Sequence, residues 1–270
     1  PPPPPPPPPF FFSTTTPQSQ MLRSLVGSEM CIRDRYKADK KFYTSSKVHY
    51  GTRIIFDEKN YLYFSIGDRG KRKEAQSLTT PNGKIHRLHD DGSIPEDNPF
   101  VNQKGAIKSI WTYGNRNPQG LAINPKSSII YETEHGPKGG DELNILSKGN
   151  NYGWPEITYG KNYTGTKITN YTHKDGMEQP VIHWTPSIAV CGMDFYDGKV
   201  FNNWKNNLLV TSLKFENLYR LEIRNKKVIK QELLLSAGSR VRDVETGPDG
   251  FIYLAVEDPG RIIRLRPYKK

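Results

Sequence analysis

The stretch GNRNPQGLAINPKSSIIYETEHGPKGG, from Gly114 to Gly140, decides how we interpret the fold of this chain. It contains a strand hairpin, in which an apolar run up to Ile123 is followed by a polar turn and by a β-branched and aromatic run from Ile129 to Glu132. It ends in a loop of glycines and one proline, which leaves backbone carbonyls free to bind hard cations or ligands. On composition alone, two ordinary hairpin turns are the favoured explanation of the same stretch.

The hairpin unit recurs in degenerate form along the chain, each time as a turn that leads into a strand ending in acidic or glycine-containing residues. Its copies are FDEKNYLYFSIGD (Phe56 to Asp68), INPKSSIIYETEHG (Ile123 to Gly136) and TGPDGFIYLAVED (Thr246 to Asp258). Further short runs predict strands at Thr52 to Phe56, Tyr61 to Ile66, Leu208 to Ser212 and Leu218 to Ile223. Because no long window has a period of about 3.6 residues, we expect few and short helices.

Spaced repeats of strand, turn and strand predict an all-β fold of the propeller type, in which small sheets surround a central channel. A β-sandwich is the alternative, because the spacing of the repeats is irregular.

The composition excludes some classes of function. The 270 residues carry a formal net charge of +11, but the basic residues are scattered and no helix gathers them, so we expect no nucleic-acid partner. No window approaches the ~18 uninterrupted apolar residues of a membrane helix, so we expect no membrane span. The two cysteines, Cys31 and Cys191, are far apart, and they support neither a disulfide framework nor a cysteine metal site.

The first 35 residues differ from the remainder. Nine prolines followed by three phenylalanines are what a translated homopolymer would give, and the segment up to Arg35 resembles a translated linker. We therefore interpret residues 1–35 as a disordered, non-native segment and residues 36–270 as the folded domain. A polyproline arm is the competing interpretation, and the order of residues does not fit a secretory signal.

Seven segments, in the same order, resemble the soluble quinoprotein glucose/sorbosone dehydrogenases, and among them the aldose sugar dehydrogenase branch. They are VHYGTRIIF (Val48 to Phe56), DGSIPEDNPF (Asp91 to Phe100), GNRNPQGLA (Gly114 to Ala122), EHGPKGGDELN (Glu134 to Asn144), NYGWP (Asn151 to Pro155), SLK (Ser212 to Lys214) and RVRDVETGPDG (Arg240 to Gly250). The resemblance implies a six-bladed β-propeller that binds pyrroloquinoline quinone (PQQ) and calcium and oxidises aldose sugars to lactones. This chain would then hold an incomplete propeller of about four blades.

The resemblance also implies a cofactor site. PQQ carries three carboxylates, and Lys214, Arg240 and Arg242 match the positions that pair with them. Arg240 and Arg242 would share one face of a strand, because the side-chain period of a strand is two. Arg116 and Asn117 match the pair beside the reactive quinone carbonyl, where a fixed cation would stabilise developing negative charge.

The remaining implied residues belong to the base and to the metal. His49 matches the general base, since an imidazole can take the proton of the anomeric hydroxyl at neutral pH. The carbonyls of Gly136 and Pro137 match calcium ligands, and Glu142 with the backbone of Tyr152 resembles a second, structural ion site. An alternative for the acidic residues at 141 and 142 is a solvated turn.

Two tryptophans have weaker assignments. We expect Trp154 to pack in the core and Trp184 to contact the sugar or the quinone.

The chain departs from the family pattern in two places. Position 48 is Val where the glucose dehydrogenases carry an acidic residue, so we expect a broader aldose range than glucose alone. The chain also starts just before the base, where the family has further blades upstream. We therefore expect the 270-residue product to fold poorly alone and to bind quinone weakly.

Two other functions stay open on the sequence. One is a non-catalytic propeller that binds a partner, and the other is a calcium-dependent lactonase. The family implies a periplasmic or secreted enzyme, monomeric or homodimeric, with an unknown electron acceptor.

Overall fold

The structure is a computed structural model, and it describes residues 34–268. Fifteen strands lie in one compact unit, Ala38–Lys270, and the described helices are short 3-10 turns at Lys40–Phe42, Arg72–Gln76 and Asn202–Trp204. The prediction of an all-β chain with few, short helices is confirmed. The interpretation of residues 1–35 as non-native sequence lies almost wholly outside the described residues.

The strands form four antiparallel sheets in chain order. The first sheet contains β1 (Gly51–Phe56), β2 (Leu62–Ile66), β3 (Lys84–Leu88) and β4 (Ile110–Tyr113). The second contains β5 (Pro118–Ile123), β6 (Ile130–Glu134), β7 (Asp141–Ile145) and β8 (Ile182–Trp184). All the strand runs named from the sequence fall in observed strands.

The third sheet contains β9 (Val190–Phe195), β10 (Leu208–Ser212), β11 (Asn217–Arg224) and β12 (Lys227–Ser236). The fourth contains β13 (Val241–Thr246), β14 (Ile252–Val256) and β15 (Arg261–Leu265). No described sheet combines strands from the two ends of the chain, so the four sheets are not closed into a ring. Four meandering sheets exclude the two-sheet sandwich.

The sheets pack face to face through their first strands, β1 against β5, β5 against β9, and β9 against β13. Each of the three interfaces holds its own apolar cluster, centred on Ile85 and Leu121, on Leu143 and Val210, and on Leu209 and Leu254. Each fully buried aliphatic side chain of this kind stabilises the fold by about 1.5–3 kcal/mol. This succession of sheets is propeller-like.

The recurring sequence unit coincides with the hairpins β1–β2, β5–β6 and β13–β14. Since each hairpin reverses the chain, the residues after β2, β6 and β14 return to the edge of the sheets where β1, β5 and β13 begin. The acidic residues that end the three units therefore share this edge with the segments that precede the inner strands. Within residues 34–268, no helix has the length and apolarity needed to cross a membrane.

Candidate functional site

His49 and Asp68 form a hydrogen-bonded pair at this edge. Nδ1 of His49 lies 2.6 Å from Oδ1 of Asp68, which also accepts a hydrogen bond from the backbone N–H of Gly70 at 2.8 Å. Oδ2 of Asp68 accepts from Nε1 of Trp154 at 2.8 Å. Burial opposes ionisation of Asp68, but the hydrogen bonds from His49, Gly70 and Trp154 outweigh burial and lower its pKa. An ionised Asp68 accepts a hydrogen bond from Nδ1–H of His49. This keeps the proton on Nδ1 and leaves Nε2 able to accept another proton.

The backbone around His49 is tightly packed against its neighbours. His49 adopts a positive φ of 51°. A Cβ atom on Gly67 would lie 2.2 Å from the carbonyl oxygen of His49, so only glycine fits at position 67. The backbone N–H of Gly51 donates to Oδ1 of Asn117 at 3.2 Å. The first and second sheets thus hold the backbone on both sides of His49.

Arg116 lies at the start of the second sheet and is 5% exposed. Its Nη1 donates to the carbonyl oxygens of His135 at 2.8 Å and Gly136 at 2.7 Å. Its Nε has no hydrogen-bond partner within the described part of the chain, and its guanidinium carbon lies 5.3 Å from the ring centroid of Trp154. The expectation of a bare carbonyl at Gly136 is therefore wrong, because a buried guanidinium reaches back from Arg116 and bonds to it.

The glycine loop is anchored by a buried carboxylate. Asp141 is fully buried, and its Oδ1 accepts from the backbone N–H of Gly136 at 3.0 Å. The same carboxylate accepts from Oγ of Ser187 at 2.8 and 2.9 Å and from the backbone N–H of Val190 at 3.3 Å. The solvated-turn alternative does not hold for Asp141, which joins the loop to the third sheet. Pro137 is also buried.

Three carboxylates surround one amide between β6 and β7. Nδ2 of Asn144 donates to Glu132 at 3.1 Å, to Glu134 at 3.5 Å and to Glu142 at 3.3 Å. Burial raises the pKa of all three glutamates, and the negative charges of their neighbours raise the pKa of Glu132 and Glu142 further. Oε1 of Glu132 has no partner among the described residues.

Glu134 and Glu142 also line a small cavity, with Gly136, Tyr152 and Arg116, that has room for about one water molecule or ion. Glu134 Oε2 accepts the backbone N–H of Arg116 at 2.5 Å. Within residues 34–268, no set of three or more His, Cys, Asp and Glu side chains is arranged to hold a metal ion. The amide of Asn144 occupies the point on which the three carboxylates converge.

The predicted cofactor cations lie on the fourth and third sheets. Nε of Arg240 is 3.7 Å from Oε2 of Glu257, and Nε of Arg242 donates to Oε1 of the same carboxylate. The two arginines thus project to one side, as the strand period predicts. Lys214 follows β10, its side chain is exposed, and it forms no ion pair with another described residue.

His135 shows that these groups share one region. Its Nε2 donates to the carbonyl oxygen of Val190 at 2.5 Å. Burial, together with the positive charges of Arg116 and Arg242, lowers the pKa of His135 to about 4, although its hydrogen bond to Val190 opposes this shift. Arg116 thus lies against His135, since its Nη1 also donates to the carbonyl oxygen of His135 at 2.8 Å.

The side chain of Arg53, in β1, contacts both the second and the fourth sheets. It donates through Nε to the carbonyl of Gln119 at 3.2 Å, and through Nη1 to Oδ2 of Asp243 at 2.5 Å. Its Nη2 donates to the carbonyl of Arg242 at 3.4 Å. One side chain thereby ties the strand that follows His49 to the strand that carries Arg242.

Trp154 is buried as expected, at 4% exposed, whereas the expected ligand contact of Trp184 is wrong. Trp154 is the one that reaches the site, through Asp68 and Arg116. Trp184 is 7% exposed, packs in the cluster between the second and third sheets, and donates to Gln231 at 3.0 Å. Trp154 lies in the long excursion between β7 and β8, and Trp184 is the last residue of β8. The strand pattern does not determine the path of this excursion.

Sequence reasoning gave no role at the site to Asp68, Glu134, Trp154 and Glu257. Three of them end copies of the recurring unit, since Asp68, Glu134 and Glu257 follow or close β2, β6 and β14. The acidic ends of the repeats were therefore the signal for these residues.

Comparison with known proteins decides the family. The sequence profile described as Glucose / Sorbosone dehydrogenase matches residues 27–264. The chain belongs to the glucose/sorbosone dehydrogenase family. Within this family, it is 45% identical over 223 residues to the aldose sugar dehydrogenase YliI of Escherichia coli (strain K12), and the match covers 81% of this chain and 60% of that relative.

Two solved structures of glucose/sorbosone dehydrogenase type are similar. The soluble aldose sugar dehydrogenase of Escherichia coli in its apo-form matches with a TM-score of 0.80 and 42% identity, over 84% of this chain and 66% of that one. The PQQ-bound form of an aldose sugar dehydrogenase from Streptomyces coelicolor matches with a TM-score of 0.64 and 27% identity, over 80% and 61% of the two chains. The chain thus spans less than two thirds of each of these three proteins.

Proposed function

We propose that this chain carries the catalytic centre of a PQQ- and calcium-dependent dehydrogenase that oxidises aldose sugars to lactones. The observation that carries the proposal is the His49–Asp68 pair, whose Nδ1 to Oδ1 distance is 2.6 Å. Arg116 lies next to this pair, because the backbone N–H of Asp68 donates to the carbonyl of Arg116 at 2.8 Å. Arg53 joins the strand after His49 to the carbonyl of Arg242 at 3.4 Å. The similarity to enzymes named aldose sugar dehydrogenases supports the choice of substrate.

His49 is the proposed general base. Asp68 keeps the proton on Nδ1, so Nε2 can accept the proton of the anomeric hydroxyl of the sugar. The His49 side chain is 20% exposed, so a ligand can reach it, whereas Asp68 is fully buried and acts only through the imidazole. Loss of that proton makes departure of hydride from the anomeric carbon favourable.

The residues present fit a flat ligand with several carboxylates. Lys214, Arg240 and Arg242 supply three cations near the edge of the sheets, and Arg116 has an unpartnered, buried Nε. When bound, PQQ supplies an ortho-quinone that accepts the two electrons of the sugar as hydride. Arg116 offers a fixed positive charge for negative charge that develops on a bound ligand oxygen. Asn117 accepts a hydrogen bond from the backbone N–H of Gly51 and so orients the chain next to His49.

The donor set also fits calcium, which prefers carboxylate and carbonyl oxygens. The carbonyls of Gly136 and Pro137 would hold the ion beside the quinone, and calcium supplies Lewis acidity there. The carbonyl oxygen of Gly136 accepts a hydrogen bond from Arg116 at 2.7 Å, and its second lone pair would bind the ion. Glu142 and the backbone of Tyr152, which line the small cavity, would hold a second, structural ion.

The proposal extends to the organisation of the protein. We propose that residues 36–270 form about four blades of a six-bladed propeller and that residues 1–35 are non-native. The periplasmic or secreted location, the monomeric or homodimeric state and an as yet unidentified electron acceptor are further parts of the proposal.

The test is reconstitution of the full-length gene product with calcium and PQQ, followed by sugar-dependent reduction of an artificial dye. We expect reduction with several aldoses, and none when either calcium or PQQ is omitted. No reduction with any aldose, despite bound PQQ, would contradict the proposal and favour a non-catalytic binding protein. Calcium-dependent lactone hydrolysis without PQQ would favour the lactonase alternative.

A further inference from the structure

A short hairpin lies in the excursion between β7 and β8, next to the glycine loop. It is closed by the backbone bridge between Lys161 and Lys167 and by a hydrogen bond from the N–H of Asn162 to the carbonyl of Thr166 at 2.9 Å. Nδ2 of Asn162 also donates to Oγ1 of Thr166 at 2.9 Å. The tip, which carries Tyr163, is therefore ordered by its own bonds.

The base of this hairpin is packed on the glycine loop of the site. The backbone N–H of Lys138 donates to the carbonyl of Lys161 at 3.0 Å, and the N–H of Lys161 donates back at 3.4 Å. A Cβ atom on Gly160 would lie 2.3 Å from the carbonyl oxygen of Gly139, so the two backbones touch. Any ligand held by the glycine loop thus has the hairpin as its neighbour.

The tip of the hairpin is fixed on the opposite side. Oδ1 of Asn162 accepts from Nη2 of Arg72 at 2.8 Å, and Arg72 belongs to the 3-10 turn that follows Asp68. The guanidinium carbon of Arg72 lies 5.5 Å from the ring centroid of Trp154, and that of Arg116 lies 5.3 Å from it. The hairpin therefore connects the glycine loop to the 3-10 turn that follows Asp68.

Tyr163 is the exposed aromatic residue on this bridge. Its side chain is 73% exposed. Burial lowers the pKa of Arg116, and the nearby hydroxyl of Tyr163 partly opposes this shift. An exposed aromatic ring on an ordered tip offers an apolar face, and the hydroxyl gives it a polar end. A pyranose has the matching chemistry, because C–H groups form one face of its ring and hydroxyls form the rim.

We propose that Tyr163 is a substrate-contacting residue, which packs its ring against the C–H face of the aldose with its hydroxyl directed towards Arg116. This inference rests on the proposed function and adds to it a residue that sets sugar affinity. Tyr163 would contribute binding that is equal in the ground and transition states, so its removal should raise KM and leave kcat almost unchanged.

The test compares three variants of the full-length gene product, loaded with calcium and PQQ, with D-glucose and D-xylose as substrates. We expect Tyr163→Ala to raise KM about 3- to 10-fold with kcat within about twofold, since one aromatic contact has that weight. Tyr163→Phe keeps the ring and should stay within about twofold of wild type. Tyr171→Ala is the matched control, because Tyr171 is 55% exposed in the same excursion and contacts Lys174 instead of Arg116.

The outcomes separate the inference from the proposed function. If the wild type oxidises no aldose, the proposed function fails and the inference fails with it. If the wild type is active and Tyr163→Ala keeps its KM, or loses kcat at constant KM, the inference alone is overturned. Thermal melting of each variant verifies that a change in KM does not come from unfolding.

Discussion

Nδ1 of His49 and Oδ1 of Asp68 lie 2.6 Å apart, although 19 positions separate the two residues in the chain. The hairpin β1–β2 creates this proximity, because it returns the chain to the edge from which it started. Asp68 is fully buried and also accepts hydrogen bonds from Gly70 and Trp154, so its position leaves little freedom to the imidazole. The pair gives His49 one defined tautomer and a free Nε2.

The first prediction concerns that tautomer. Asp68→Asn should lower kcat by about a hundredfold or more, because an amide N–H facing Nδ1 would force the proton onto Nε2 and block the base. The measurement is steady-state dye reduction by the loaded enzyme with a saturating aldose.

Asp194→Asn is the control for the loss of a buried carboxylate. Asp194 accepts hydrogen bonds from the backbone N–H and the hydroxyl of Thr246, away from His49. Its variant should lose stability but keep kcat, and an Asp68→Asn enzyme as active as this control would refute the tautomer argument.

The second prediction concerns Trp154. Trp154→Phe keeps an aromatic ring near Arg116 but removes the hydrogen bond to Oδ2 of Asp68. Since that bond favours the ionised form, its loss should raise the pKa of Asp68 and move the acidic limb of the kcat/KM profile to higher pH. Trp184→Phe removes a comparable bond to Gln231 in the core and should leave the profile unchanged. Superimposable acidic limbs for wild type and Trp154→Phe would contradict this role.

The third prediction concerns stability near the base. Gly67→Ala should destabilise the protein by at least about 2 kcal/mol, because its Cβ would lie 2.2 Å from the carbonyl oxygen of His49 and the backbone would have to move. Gly260→Ala is the control, since a Cβ there meets no atom within 4 Å and should change stability by less than about 0.5 kcal/mol. Equal urea midpoints for the two variants would show that the contact is not tight.

The fourth prediction concerns pH. His86 of β3 is fully buried, and burial together with the charge of Lys84 lowers its pKa to about 3, despite the hydrogen bond to the carbonyl of Pro81. An unfolded histidine has a pKa of about 6.5, so between pH 6.5 and 3 the unfolded state binds a proton that the folded state does not. Stability is therefore present above pH 6.5 and falls as the pH decreases, by about 1.4 kcal/mol per unit from this group.

Urea unfolding between pH 6.5 and 4.5 measures this contribution. His86→Gln removes the titrating group, so its stability should fall with decreasing pH less steeply than that of the wild type by about 1.4 kcal/mol per unit. Parallel pH profiles would mean that His86 is protonated in the folded protein.

Much of the fold was predictable because strands depend on local signals. β-branched and aromatic runs between turns marked β1, β2, β6, β10, β11 and β14, and the repeat marked three of the four inner hairpins. The third sheet lacks a clear copy of that repeat. The number of sheets could not be read from the strands one at a time. It became visible only through packing of the first strands on one another.

Candidate site residues could be named from the sequence where they belong to a motif, but not where their contacts depend on a distant partner. Nothing near Gly136 in the chain indicates that Arg116 bonds to its carbonyl, since 20 positions separate them. Trp154 and Asp68 are 86 positions apart, so their hydrogen bond is a consequence of tertiary packing alone.

The most direct measurement is kcat of the His49→Ala variant, in the full-length gene product loaded with calcium and PQQ, against that of the wild type at saturating aldose. Bound PQQ is quantified in both proteins, so that a loss of cofactor is not mistaken for a loss of the base. We predict that kcat falls by about 10²- to 10⁴-fold while PQQ stays bound. A His49→Ala enzyme with wild-type kcat would contradict the assignment of His49 as the general base.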